Sequence, residues 1–121
     1  MAKRGEMKLL LVLAWAVLAL AACRGAPQPK LHQGYFAYGF ETVAFRACNA
    51  TEVWWVEGGE QLGALIEQYT ALADASYAEV YVELRGTTSE PGSYGHLGAY
   101  ARAFTLTEVA QVGGDAPAGC G

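Results

Sequence analysis

The chain has 121 residues, 53% of them hydrophobic, with 8 basic and 12 acidic side chains and a formal net charge of −4. That length supports one domain. The acidic balance argues against a basic face for nucleic acid or for anionic lipid headgroups.

The first segment has the layout of a secretory leader. Lys3, Arg4 and Lys8 form a basic start, and 14 apolar residues follow from Leu9 to Ala22. A bilayer core of about 30 Å calls for roughly 20 apolar residues in a helix, so the run predicts a signal peptide over 1–22 rather than a membrane span. At its end Leu20-Ala21-Ala22-Cys23 resembles the bacterial lipobox. The resemblance implies cleavage before Cys23 and a diacylglyceryl thioether on its sulfur, a membrane partner reached through two or more acyl chains. Arg24 stands where an inner-membrane retention signal would place Asp, which by the same resemblance favours the outer membrane, with the domain facing the periplasm.

Cleavage there leaves 99 residues carrying 5 basic and 11 acidic side chains, once Lys3, Arg4, Lys8 and Glu6 are removed. Two cysteines remain beside the lipidated one. In an oxidising compartment an even pair, Cys48 and Cys120, reads as a disulfide staple, and no Cys-x-x-Cys suggests a redox centre.

Residues 23–33, with Gly25, Pro27 and Pro29 and few apolar side chains, read as a flexible tether ahead of a domain over 34–121; His32 falls in it. From 34 to 49 aromatic and β-branched residues dominate (Tyr35, Phe36, Tyr38, Phe40, Thr42, Val43, Phe45), and Gly39 suggests a bend or bulge in a strand pair. A third strand is predicted over 51–57 and ends at Gly58-Gly59. Leu62, Leu65, Ile66, Tyr69 and Leu72 then fall on one stripe of an amphipathic helix over 60–73. Residues 78–85 alternate, with Val80, Val82 and Leu84 on one face and Glu79, Tyr81, Glu83 and Arg85 on the other. A polar loop over 86–98 leads to a last strand over 99–112, bent near Thr105-Leu106-Thr107, and a tail. Three strands, one helix and two strands is the element order of a mostly β (α+β) fold, a five-stranded OB-like Greek-key barrel with its helix between strands 3 and 4. An open sheet with one helix on a face is the rival.

Catalytic motifs are missing: no Gly-x-Ser-x-Gly, no His-Glu-x-x-His, no phosphate-binding loop. His32 and His96, without clustered carboxylates or thiols, do not compose a metal site, and no cofactor is implied. Glu41 faces solvent or one of Arg46, Arg85 and Arg102. Aromatic residues are in excess, 13 after the leader. Trp54 and Trp55, adjacent in one strand, must point to opposite faces, one toward the core. The other tryptophan, with Tyr81, Tyr94 and His96, forms the candidate binding face for a sugar or a partner strand.

Gly34-Tyr35, Phe40-Glu41, Phe45-x-x-Cys48, Trp54-Trp55, the Tyr69 helix, Val80-Tyr81-Val82-Glu83-Leu84-Arg85-Gly86 and the late Cys120 together resemble the C-terminal OB-fold domain of NlpE-like outer-membrane lipoproteins. The resemblance implies a barrel, a Cys48–Cys120 disulfide and a role in envelope-stress or surface sensing. That family's N-terminal barrel and its Cys-x-x-Cys have no counterpart here, so copper binding is not carried over. The expectation is a non-enzymatic, membrane-anchored module whose partners are envelope proteins or cell-wall glycans. The alternative is an inhibitor or accessory protein of a periplasmic enzyme such as a lysozyme, acting through the loop 86–98.

Overall fold

A computed structural model describes residues 26–121. The leader, the Cys23 lipidation position and the start of the tether lie outside the described residues. The elements are β1 (Lys30–Gly39), β2 (Thr42–Ala47), β3 (Trp54–Glu57), α1 (Glu60–Leu72), β4 (Val80–Thr88), a single 3-10 turn (His96–Gly98) and β5 (Ala103–Val112). The strands close a barrel in the order β1-β2-β3-β5-β4, with β4 returning to β1 and β3 parallel to β5. Closure leaves no long sheet edge to be protected. This is the expected mostly β, OB-like barrel with one helix between strands 3 and 4.

Alternation decides which side chains fill it. His32, Phe36, Val43, Phe45, Trp54, Val56, Val82, Leu84 and Phe104 point inward, and Phe36, Phe45, Val82, Leu84 and Phe104 are completely buried. Gly34 and Gly86 occupy inward positions where strands cross closely. A Cβ on Gly34 would overlap the Phe45 ring and the β2 backbone, so only glycine fits there. Helix α1 plugs the end of the barrel at the C-terminal side of β1. Leu65 and Tyr69 of its stripe are buried, and the Tyr69 hydroxyl donates to the Ala78 carbonyl at 2.8 Å. Leu72, the last residue of the predicted stripe, is half exposed because the helix ends there and Ala73 turns extended.

Several boundaries differ from the sequence reading, and β3 is shorter than the expected 51–57, starting at Trp54. Strand β1 starts at Lys30, so residues 30–33 are not tether: they pair with residues 83–86 of β4 and help close the barrel. His32 therefore lies on the inner face. Its ring stands edge-on to Phe104, Trp54 and Phe45 at centroid distances of 5.2, 5.6 and 6.4 Å, an aromatic box that accepts an imidazole as a planar ring. Strand β4 runs on to Thr88, which moves the long loop to residues 89–102 and starts β5 at Ala103. The irregularity foreseen near Thr107 takes the form of two bulges. Val82, Leu84 and Gly86 face Val112, Val109 and Leu106, so Ala110 and Thr107 are each an extra β5 residue, and the apolar spacing of two becomes three.

Residues 113–121 fold back over the outside of the barrel. The Gly113 amide donates to Tyr81 O at 2.7 Å, and Cys120 is bonded to Cys48 just after β2, their Cα atoms 4.6 Å apart. The expected disulfide is present. Around it Tyr35 donates to Cys120 O at 3.3 Å, and Arg46 donates to Gly121 O and to Glu79 at 2.7 Å each.

Candidate functional site

The residues expected to form one aromatic platform are distributed over three environments. Trp54 enters the barrel mouth, lying over Phe104 at 6.0 Å and donating its indole N–H to Glu52 at 2.7 Å. Tyr81 is only 5% exposed. The folded-back tail is held at its backbone, Tyr35 packs edge-on at 6.2 Å, and its hydroxyl donates to Glu83. Burial, and then the Glu83 carboxylate, push the Tyr81 phenol above its ordinary value. An open platform including Tyr81 is thereby corrected: this outward β4 residue packs against Tyr35 and beside the start of the tail, neighbours that alternation within β4 cannot reveal.

Trp55, Tyr94 and His96 belong together. Residues 89–102 form a two-ply finger bound by its own backbone: Tyr94 and Tyr100 exchange hydrogen bonds at 2.9 and 3.1 Å, Gly92 N donates to Ala101 O, and Ser89 N donates to Ala103 O. The Tyr94 hydroxyl donates to Glu90 O at 2.7 Å, and Arg102 reaches Glu52 at 3.2 Å. The finger lies across the outside of β3, where Trp55 packs against Tyr100 at 5.3 Å. Gly95 has a φ of +70°, and a Cβ there would overlap the Trp55 indole, so this crossing requires glycine twice over. At the finger tip His96 Nε2 sits 2.9 Å from Glu41 Oε2, in the turn between β1 and β2. Glu41 thus faces a histidine from the distant loop rather than an arginine. Beside this contact Phe40 is 79% and Leu97 90% exposed.

Between the finger and the loop joining α1 to β4, the outer face of β1 and β2 forms a cleft of about 320 Å³. Its floor is made of Ala37 and Ala44, register partners whose small side chains leave the depth open. Tyr35, Tyr77 and Tyr100 stand as walls, and Arg46 closes one end. The Arg46 guanidinium lies 4.9 Å from the centre of the Tyr35 ring and is held by Glu79. Charges here are compensated within the chain, so the cleft suits a neutral or apolar group flanked by aromatic faces. None of Trp54, Trp55, Tyr81, Tyr94 and His96 lines this cleft: Trp55, Tyr94 and His96 gather at the neighbouring finger, and sequence reasoning missed the floor and Tyr77. Alanines carry no chemical signal, and Tyr77 enters only because its φ of +67° turns the chain toward the hairpin, where its hydroxyl donates to Phe40 O at 3.2 Å. A second hollow of about 430 Å³, between the end of β1 and the C-terminus of α1, is lined mainly by small or already bonded groups, Tyr69 among them.

No cluster of three or more potential metal ligands occurs among the described residues. A scan against protein-family models and searches of curated proteins and solved structures found no match.

Proposed function

We propose that this chain is a non-enzymatic lipoprotein of the bacterial cell envelope that acts as a binding or sensing module, with the tyrosine-walled cleft as its recognition face. The leader and lipobox support the anchoring, and the likeness to the NlpE-like C-terminal domain supports an envelope role. The cleft carries the binding part of the reading. It combines a floor of paired alanines, aromatic walls and a finger already fixed by its own hydrogen bonds, so little conformational freedom is lost on binding. Its partners are envelope proteins or cell-wall glycans, both of which offer apolar faces to aromatic side chains. No cofactor is required.

The tether limits how far that face can stand from the anchor. With β1 beginning at Lys30, residues 24–29 alone separate Cys23 from the barrel, a reach of about 20 Å when fully extended. Strand β1 then leads away from the anchored end for about 30 Å to the Phe40 turn. The hairpin and finger tips lie at the end of the strand remote from the tether.

The test is capture of solubilised envelope proteins and of purified peptidoglycan fragments on the lipidated chain, beside an Ala37→Arg variant that fills the cleft. Capture by the native chain and its loss in a variant with an unchanged melting temperature are expected. Equal capture by both removes the cleft from the account.

A second reading, an inhibitor of a periplasmic enzyme such as a lysozyme, is favoured by the finger itself. A rigid loop with an apolar tip is the form that fills an enzyme's cleft. Lysozyme inhibition that disappears with Leu97→Gly and survives Ala37→Arg would select this reading.

A further inference from the structure

We infer that the face carrying the cleft also pairs with a second copy of this chain, the Phe40–Leu97 knob of each copy seating in the tyrosine-walled cleft of the other. The inference deepens the proposed function, since pairing would cover the same cleft and so regulate access to it.

Leu97 is the starting point. It is the most exposed large apolar side chain described, at 90%, and it holds a left-handed backbone, φ +56°. A branched side chain is disfavoured in that region, where glycine or asparagine is the usual occupant. The turn hydrogen bonds from Gly98 N to Gly95 O and from Ala99 N to His96 O hold this backbone, but the Leu97 side chain itself is left almost wholly in solvent. Phe40, 79% exposed, stands on the turn that the Glu41–His96 contact joins to the finger tip. Of the other exposed large apolar residues, Val53 and Tyr77 line the cleft, and Leu31 of β1 and Leu72 of α1 are single side chains of the kind any surface carries.

The knob lies beside the cleft. Tyr77, a wall of the cleft, donates its hydroxyl to the Phe40 carbonyl, and Thr42, two residues along, lines the floor's edge. A projection and a hollow side by side on one face are the two halves of an isologous contact: a two-fold axis between them seats each knob in the facing hollow and closes the assembly at two.

Electrostatics allow it. Two acidic chains repel at a distance, but on this face Arg46 is matched by Glu79 at 2.7 Å and Arg102 by Glu52 at 3.2 Å, and the Glu41 carboxylate lies against the His96 imidazole at 2.9 Å. The copies meet through a locally compensated surface with an apolar centre. Anchoring adds the last element, and this part rests on the lipoprotein reading. Copies held on one bilayer by short tethers share a high effective concentration. The knob stands at the far end of β1 from the tether.

The test measures mass by sedimentation equilibrium on the full lipidated chain in detergent, and in parallel trapping in nanodiscs. For trapping, copies carrying Leu97→Cys are mixed with copies carrying Ala37→Cys and treated with a short bismaleimide. Expected are a monomer–dimer equilibrium, a trapped product that needs both substitutions, and a Leu97→Gly variant whose association weakens about tenfold or more. Leu97→Gly keeps the fold, its melting temperature equal to or above the native one, because glycine accepts the left-handed backbone. A monomer at every concentration with no trapped product overturns the inference, as does a dimer indifferent to Leu97→Gly. Binding of Leu97→Gly to liposomes without the native dimer would also overturn it, in favour of a membrane contact. Failure here is distinguishable from failure of the proposed function. A monomeric chain that still captures envelope ligands through the cleft retains the function and loses the pairing, and a dimer that captures nothing does the reverse.

Discussion

His96 Nε2 and Glu41 Oε2 lie 2.9 Å apart, and through this one contact the tip of the 89–102 finger is tied to the turn between β1 and β2. The finger's base is fixed independently, by the backbone exchange between Tyr94 and Tyr100 and by Ser89 against Ala103. Between these two fixed points the loop spans Trp55 and becomes one wall of the cleft.

Removing the tip contact should loosen the finger without unfolding the barrel. An exposed polar contact of this kind contributes at most about 1 kcal/mol, so His96→Ala is expected to leave the urea midpoint almost unchanged. Hydrogen exchange at the Gly98 and Ala99 amides, which donate to Gly95 O and His96 O within the tip, is expected to accelerate while the β4 and β5 amides hold. A global loss of protection would mean that the barrel depends on the contact.

At Gly95 the geometry is less forgiving. Alanine there would meet the Trp55 indole and take up a backbone φ of +70°. Gly95→Ala is expected to displace the finger from Trp55 and shift tryptophan emission to longer wavelength, with a cost of about 1–3 kcal/mol. Unaltered emission and stability would show that the finger does not rest on this residue.

The disulfide closes a loop of sequence separation 72, for which the chain-entropy model gives at most about 4 kcal/mol. Cys48→Ala with Cys120→Ala is expected to lower stability by up to that amount and to free residues 113–121 from Tyr35 and Tyr81. Tyr81 is the reporter: once uncovered, its phenol is expected to titrate closer to the ordinary value of 10.0, followed by ultraviolet absorbance. A Tyr81 titration identical in both proteins would show that the tail does not cover it.

For His32, burial among aromatic rings and then the nearby Lys30 hold the imidazole below its ordinary value of 6.5. The folded barrel favours the neutral ring, while the unfolded chain takes up its proton near 6.5. The contribution to stability is therefore full above that pH and is lost as the pH falls below it toward the depressed folded value. Urea midpoints at about pH 7.5 and about pH 5.5 should fall on acidification, and His32→Phe should reduce the drop. An equal drop in the variant would assign it to groups other than His32.

The sequence made some of this visible and concealed the rest for definite reasons. Period-two alternation in residues 78–85 and the helical stripe from Leu62 to Tyr69 are local patterns, and both elements formed where those patterns lie. Adjacent tryptophans were separated to opposite faces by strand geometry alone. What escaped was set by chain segments far apart. The polarity of residues 30–33 resembles a tether until β4 pairs with it. Tyr81 looks exposed until Tyr35 and the start of the tail come to lie beside it, and the cleft floor exists only because the β1–β2 register places Ala37 opposite Ala44. Glu41 could be seen as a charge lacking a local partner, but its partner, His96, is brought to it by the finger.

The central claim, that the outer face of β1 and β2 is where this module binds, is tested most directly by amide chemical shifts. The isotope-labelled chain is titrated with peptidoglycan fragments and, separately, with solubilised envelope protein. Shifts concentrated at Ala37, Ala44, Tyr77 and Tyr100 with either addition, and absent in Ala37→Arg, are the expected result. Shifts confined to other surfaces, such as the barrel end around His32 and Thr88, would contradict it.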